Sequence, residues 1–235
     1  MSRVDDPNRL ILSRVAHALG DLRESMVFVG GCSTGLLVTA IRAQPIRPTD
    51  DVDMVVQAAT AREYHELEAL LSKRGFVHDM SADAPICRWR FQGIAVDVMP
   101  SEQSVLGFSN RWYPLAIESA QEVKLEEDLA IRLITAPVFI ATKLEAFQGR
   151  GKGDFLMSHD LEDIITVVDG RVILLEEMQN MTQELREYLA VNFQKLLGEA
   201  NFLDALAGHL PGDLASQARL PGLVNKLRAI AQLHC

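Results

Sequence analysis

Three aspartates are spaced so that their carboxylates could bind a divalent cation. Asp51 and Asp53 lie two residues apart in Asp-Val-Asp-Met-Val-Val-Gln, and Asp97 follows later in Ile-Ala-Val-Asp-Val-Met. Carboxylate oxygens are the ligands that Mg²⁺ prefers, and this ion usually completes its shell with water and substrate phosphates. In phosphoryl transfer, two such ions act on the attacking and the leaving oxygen. The pattern predicts a metal site at Asp51, Asp53 and Asp97 that acts on a phosphorylated substrate.

A pair of glycines supplies the second feature that such chemistry needs. Four apolar residues at 26–29 run into Gly30 and Gly31, and the next segment, Cys-Ser-Thr-Gly-Leu-Leu-Val-Thr-Ala-Ile-Arg, has the composition of a helix that ends before Pro45. Glycines let the backbone approach a phosphate, and the amides at a helix N-terminus stabilise its negative charge. We therefore expect a nucleotide phosphate to bind at this turn.

Strands must hold the three aspartates in place. Residues 51–57 have the β-branched, alternating character of a strand, so Asp51 and Asp53 project to the same face. In residues 94–99, alternate apolar residues share the core face and Asp97 projects to the opposite one. A charge in mid-strand is costly to bury without a partner, so we expect Asp97 to face a cation or a polar group.

The remaining patterns predict which elements surround the two motifs. Apolar periodicity predicts a first helix from Asn8 to about Arg23, and a capping box at Thr60 and Glu63 predicts another that ends at Gly75. Two strand-like runs, 86–91 and 94–99, are joined by Gln92-Gly93, which is a strong hairpin signal. The predicted order is helix, strand, helix, strand, helix, hairpin.

From about Ala136 onward the chain has the pattern of helices. A solvated stretch at 120–136, rich in acidic residues such as Glu122 and Glu127, marks the boundary. We therefore predict a core domain at residues 1–130 and a helical domain at residues 131–235.

Composition limits the function. The chain has 235 residues, 48% of them hydrophobic, and a formal net charge of −9, which argues against tight nonspecific binding of long nucleic acids. A local basic patch beside the site could still form from five arginines: Arg42, Arg47, Arg88, Arg90 and Arg111. No apolar run approaches a membrane span and no signal peptide is evident, so we expect a cytoplasmic protein with no membrane partner. Its three cysteines show neither zinc-site nor disulfide spacing, which predicts reduced thiols.

Three segments resemble the signatures of the polymerase β-like nucleotidyltransferases: Gly30-Gly31-Cys32-Ser33, Thr49-Asp50-Asp51-Val52-Asp53 and Val96-Asp97-Val98. Two later segments resemble the helical lysine and aspartate motif of the AbiEii-type toxin branch: Thr142-Lys143-Leu144-Glu145-Ala146-Phe147 and His159-Asp160-Leu161-Glu162-Asp163-Ile164. The resemblance covers about residues 26–170. One departure is Cys32, which stands where the pattern has Ser or Thr, with hydroxyls displaced to Ser33 and Thr34.

The resemblance implies an α/β (α+β) fold, with a polymerase β-like core in which helices flank a small mixed sheet, followed by a helical C-terminal region. It implies Mg²⁺ or Mn²⁺ as cofactor and an NTP as substrate. By position, Asp51 and Asp53 would bind metal, and Asp97 would complete the site or deprotonate the acceptor. Lys143 would contact nucleotide phosphate and Asp160 would support the site.

Further site residues and partners follow from the same resemblance. The nucleotide-binding set would be Gly30, Gly31, Ser33, Thr49 and Lys143. The acceptor would be tRNA or a small molecule such as an antibiotic, and a toxin-like enzyme would have an antitoxin partner. The alternatives are a nucleotide-binding regulatory protein of this fold without turnover and, with less support, a metal-dependent phosphohydrolase.

Overall fold

The computed structural model describes residues 6–40, 43–151 and 153–233. The strands are β1 (Met26–Val29), β2 (Asp51–Val56), β3 (Val77–His78), β4 (Arg88–Phe91), β5 (Ile94–Pro100), β6 (Gln121–Glu126) and β7 (Leu129–Leu133). The α-helices are α1 (Arg9–Leu19), α2 (Thr34–Leu37), α3 (Ala61–Lys73), α4 (Gln103–Leu106), α5 (Tyr113–Ser119), α6 (Ala136–Arg150), α7 (His159–Gly170), α8 (Leu174–Gln179), α9 (Gln183–Gly198), α10 (Ala200–Ala205), α11 (Leu214–Gln217) and α12 (Leu220–Ile230). None of these helices is both long and apolar enough to cross a bilayer.

Two compact units share the described chain. The sheet unit holds residues 6–35 and 47–135, and the helical unit holds 36–40, 43–46 and the described residues from 136 onward. The predicted domain boundary at 130/131 stays a prediction.

The sheet unit contains one seven-stranded mixed sheet in the order β3-β4-β5-β2-β1-β7-β6. Strands β2 and β5 are parallel neighbours, as are β1 and β7, and the other pairs are antiparallel. Apolar side chains such as Phe28, Met54 and Val96 are fully buried in it. A mixed sheet flanked by helices and followed by a helical region confirms the predicted fold class.

The central strands form where the apolar alternation predicted them. The predicted hairpin is present, with Gln92 and Gly93 both at positive φ (48° and 85°), as a two-residue turn of this kind requires. The capping box of α3 is also present, since the Thr60 hydroxyl accepts from the Glu63 amide and the Glu63 carboxylate accepts from the Thr60 amide.

The helix predicted after the glycine pair is much shorter than expected. A 3₁₀ turn at Gly31–Ser33 leads into α2, which ends at Leu37 rather than near residue 42. Beyond it, the amides of Thr39 and Ala40 both donate to the carbonyl of Gly170 at the end of α7, at distances of 3.0 and 2.8 Å. These external hydrogen bonds replace those that a continuing helix would have made.

The stretch predicted to be a solvated boundary is a β-hairpin. Strands β6 and β7 pair antiparallel within residues 121–133. In β7, Leu129, Ile131 and Leu133 are buried and alternate with half-buried residues. Glu122 and Glu126 are exposed on the edge strand β6, where charged side chains discourage further strand pairing.

Candidate active site

The structure brings Asp51, Asp53 and Asp97 together. In the parallel pairing of β2 and β5, Asp53 lies beside Asp97 and Asp51 lies beside Ala95, so all three carboxylates project from the same face. One carboxylate oxygen of each residue lies within 4.8 Å of the others. Asp51 and Asp53 are half-buried and Asp97 is buried.

This donor set suits Mg²⁺ or Mn²⁺. All three donors are carboxylate oxygens, and Mg²⁺ binds such ligands at about 2.1 Å in an octahedron, so ligands on opposite sides lie about 4.2 Å apart. Adjacent ligands of such an ion lie about 3 Å apart, and the three oxygens lie within 4.8 Å of one another, so side-chain rotations would bring them to these separations. The residues therefore fit a divalent cation, which Asp51, Asp53 and Asp97 could hold.

Gly30 lies directly against the Asp53 carboxylate. Val29 pairs with Asp53 across the antiparallel strands β1 and β2, which places the next residue, Gly30, beside the acid. Gly30 has φ 69° and ψ −174°, a conformation that only glycine adopts readily. A Cβ built there would lie 1.8 Å from Oδ2 of Asp53. The predicted phosphate turn and the predicted metal site thus adjoin.

The other residues of the turn are buried and bonded locally. The Ser33 hydroxyl donates to the Val29 carbonyl at 2.7 Å, and Cys32 Sγ lies 3.6 Å from the same oxygen. Burial, followed by the nearby charge of Asp53, raises the pKa of the Cys32 thiol, so it stays protonated. Among the described residues, Cys32 and Cys87 are free and buried, whereas Cys235 lies outside the described residues.

Thr49 lies just before β2 and is held in place by the side chain of Asn8. Its amide donates to the Asn8 side chain at 2.9 Å, and the same side chain donates to the carbonyl of Arg47 at 2.9 Å. Asn8 is 1% exposed. It therefore fixes the segment that leads into Asp51, and the spacing of motifs along the sequence gave no signal for this contact.

Arg88 is the basic neighbour of the three carboxylates. Its Nε and Nη2 donate to Oδ1 and Oδ2 of Asp97, both at 2.7 Å, and Nη2 also lies 3.6 Å from Oδ2 of Asp51. Sequence reasoning placed Arg88 in a basic patch for substrate and missed this pairing. The signal was available, because a two-residue hairpin turn at 92–93 sets Arg88 opposite Asp97.

The rest of the predicted basic patch is partly neutralised. Arg90 forms an ion pair with Asp79 at 2.7 Å. The Arg111 guanidinium carbon lies 4.7 Å from the centre of the Trp112 ring. Arg42 lies outside the described residues.

In the helical unit, the predicted residues Lys143 and Asp160 contact each other. The Lys143 ammonium lies 3.3 Å from Oδ1 of Asp160 and 2.7 Å from Oδ2 of Asp163, and all three side chains are buried. Arg150 donates two hydrogen bonds to Asp160 at 2.8 and 2.9 Å. Asp163 and Arg150 were not among the predicted site residues. The proposed phosphate contact of Lys143 stays a prediction.

The pairing of Asp160 predicts a pH-dependent contribution to stability. Burial alone would raise the pKa of Asp160, but hydrogen bonds from Arg150 and the charge of Lys143 outweigh it and lower this pKa below its usual 3.8. Because the folded-state pKa is the lower one, the stabilisation is present above about pH 4 and is lost as the pH falls through the folded-state pKa. Arg150→Gln should therefore lower the free energy of unfolding by about 1 kcal/mol at pH 7, and by less below pH 4.

Urea denaturation at pH 7 and below pH 4 measures the change in the free energy of unfolding that Arg150→Gln causes. Arg62→Gln is the matched control, because Arg62 pairs with Glu66 on the exposed face of α3 and should change stability by no more than about 0.5 kcal/mol. An Arg150→Gln effect that persists unchanged at low pH would contradict the expectation.

The comparisons with known proteins concern the fold. No protein-family model matches the sequence, and no curated protein matches it. Among solved structures, an antigenic nucleotidyltransferase-like protein from Paracoccidioides brasiliensis is similar, with a TM-score of 0.52 and 22% identity over 88% of this chain and 95% of that one.

Two further solved structures are less similar. The antibiotic-resistance factor ANT(2'')-Ia has a TM-score of 0.48 and 11% identity, covering 83% of this chain and 96% of its own. JHP933 from Helicobacter pylori has a TM-score of 0.48 and 12% identity, covering 100% of this chain and 94% of its own. The similarity to the Paracoccidioides protein shows that this chain has a nucleotidyltransferase-like fold.

Proposed function

We propose that this protein is a metal-dependent nucleotidyltransferase that moves a nucleotide from an NTP to an acceptor hydroxyl or amine. The observation that carries the proposal is the convergence of Asp51, Asp53 and Asp97 on one face of the sheet, with Gly30 packed against Asp53. This arrangement combines cation ligands with a turn through which the backbone can approach a phosphate.

In the proposed reaction, the acceptor oxygen or nitrogen forms a bond to the α-phosphorus of the NTP. The bond from that phosphorus to the bridging oxygen breaks, pyrophosphate leaves, and the acceptor's proton passes to solvent or a carboxylate. Asp51, Asp53 and Asp97 would hold the cation, and the turn at Gly30 and Gly31 would orient the triphosphate. A divalent cation bound there would supply positive charge that offsets the charge developing on the phosphate oxygens.

We propose tRNA as the acceptor and a toxin-like role in the cytoplasm, neutralised by an antitoxin protein. The support is the resemblance of the segments around Lys143 and Asp160 to the AbiEii-type branch. The net charge of −9 opposes tight nonspecific binding of long nucleic acids. A compact RNA that contacts the protein at only a few positions is compatible with this charge. A small-molecule acceptor is the alternative.

Label transfer tests the proposal. Purified protein with Mg²⁺ or Mn²⁺ is given each α-labelled NTP in turn, together with either total tRNA or an RNA-free small-molecule extract. Label in tRNA is the expected result. Label only in the small-molecule fraction would show that the acceptor is a small molecule and that the type of reaction is as proposed. NTP binding without any transfer would favour the regulatory alternative. Equal labelling by wild type and Asp51→Asn would overturn the proposal.

A further inference from the structure

One cationic side chain spans two of the three carboxylates in the sheet unit. The Arg88 guanidinium donates to both oxygens of Asp97 at 2.7 Å and reaches within 3.6 Å of Asp51. Its Nη2 therefore contacts a carboxylate oxygen of each acid, at 2.7 Å from Asp97 and 3.6 Å from Asp51. Its side chain is 24% exposed, against 10% for that of Asp97, so the pair is largely shielded from water.

The three carboxylates need a counter-charge whenever no cation is bound. Three like charges whose oxygens lie within 4.8 Å of one another repel strongly in a partly buried site. The bidentate fork of an arginine neutralises a carboxylate better than a lysine can. An arginine guanidinium keeps its positive charge at physiological pH.

We propose that Arg88 is an internal counter-ion that occupies the space between Asp51 and Asp97 and is exchanged for a divalent cation when one binds. The inference rests on the proposed metal site and does not depend on the transfer reaction. Arg88 stabilises the metal-free fold and, because it competes for the same carboxylates, weakens the binding of the cation.

Two opposite roles for Arg88 predict opposite effects on metal affinity. A residue that only orients a ligand from behind strengthens binding, and its loss typically weakens affinity 10- to 100-fold. A guanidinium that lies between two ligands instead repels an incoming dication, because at about 4 Å and low effective dielectric this repulsion far exceeds RT. The bridging position between Asp51 and Asp97 favours competition.

Direct Mn²⁺ binding, measured by electron paramagnetic resonance without substrate, tests the exchange. Arg88→Gln should bind Mn²⁺ about tenfold or more tightly than wild type. Arg90→Gln is the matched control. It removes the same charge from an arginine that lies two residues after Arg88 in β4 and pairs with Asp79. Its affinity should stay within about twofold of wild type, since the charge lies outside the carboxylate cluster.

Thermal unfolding gives a second readout. In EDTA the Arg88→Gln protein should melt at a lower temperature than wild type, and saturating Mn²⁺ should narrow that difference. A midpoint difference that Mn²⁺ leaves unchanged would contradict the exchange. If Arg88→Gln does not fold, Arg88→Lys, which keeps the charge without the bidentate fork, should show an affinity raised by a smaller factor, and an unchanged affinity would overturn the proposal.

The outcomes separate this inference from the proposed function. Mn²⁺ binding by wild type with equal or weaker binding by Arg88→Gln would overturn the exchange and leave the metal site intact. Binding by neither protein would overturn the metal site and the exchange together. Binding that appears only in Arg88→Gln would support the exchange in its strongest form.

Discussion

Asp53→Asn should lower nucleotide transfer about 10³-fold or more while the protein remains folded, because losing one charged ligand of a catalytic cation removes several kcal/mol of transition-state stabilisation. Asp53 contacts both features of the site, since it lies beside Asp97 in the sheet and against Gly30 in the turn. Asparagine keeps the shape of the side chain and removes its charge. Initial rates with α-labelled NTP and saturating metal would measure the effect.

Asp50→Asn is the matched control for this change. Asp50 is the adjacent acid and is exposed, and it is not one of the three clustered carboxylates. Both variants remove one negative charge from neighbouring positions, so a general electrostatic effect would appear in both. We expect the Asp50 variant to keep nearly full activity. Similar losses in the two variants would show that Asp53 has no specific role.

Gly30→Ala should lower the free energy of unfolding by about 3 kcal/mol or more and abolish NTP binding. Two costs combine at this position. The backbone conformation is one that a residue with a Cβ rarely adopts, and the new Cβ would lie 1.8 Å from Oδ2 and 2.6 Å from Cβ of Asp53. Asp53 cannot move away easily, because its backbone is paired with Val29 on one side and Asp97 on the other.

Gly107→Ala separates these two costs. Gly107 also has a positive φ, 84°, but a Cβ added there would meet nothing within 4 Å. The free energy of unfolding of this variant should therefore fall only by the cost of the backbone conformation, about 1 kcal/mol. Chemical denaturation of both variants, with calorimetric titration of NTP, measures the difference. An equal loss of stability in the two would show that contact with Asp53 contributes nothing.

The convergence of Asp51, Asp53 and Asp97 could be predicted from the sequence for a physical reason. Alternation of side chains along a strand fixes which face Asp51 and Asp53 occupy, whatever the neighbouring elements are. The hairpin turn at Gln92-Gly93 likewise fixes the register of β4 against β5. Arg88 could have been placed opposite Asp97 from that register alone. Local geometry is therefore sufficient to predict a contact that depends only on strand alternation or on a two-residue turn.

Contacts between distant segments could not be predicted in the same way. The spacing of residues in α6 and α7 places Lys143 and Asp160 on helices, but their pairing depends on how the two helices pack. Arg150 reaches Asp160 at 2.8 Å across the loop between those helices, and periodicity gives no information about such a loop. The hairpin of β6 and β7 differs from the prediction for another reason. Leu129, Ile131 and Leu133 alternate as in a strand, and the acidic residues beside them are compatible with an exposed edge strand as well as with a solvated loop.

The two hydrogen bonds from residues 39 and 40 to Gly170 have a consequence for biosynthesis. The segment that makes them leaves the ribosome about 130 residues before its acceptor in α7, since the chain is made from its N-terminus. The whole run from β2 to β7 is translated in between, so the sheet can form while this early segment still lacks its native partner. Until α7 is made, chaperones and proteases would find the backbone of this segment without its native hydrogen-bond acceptor.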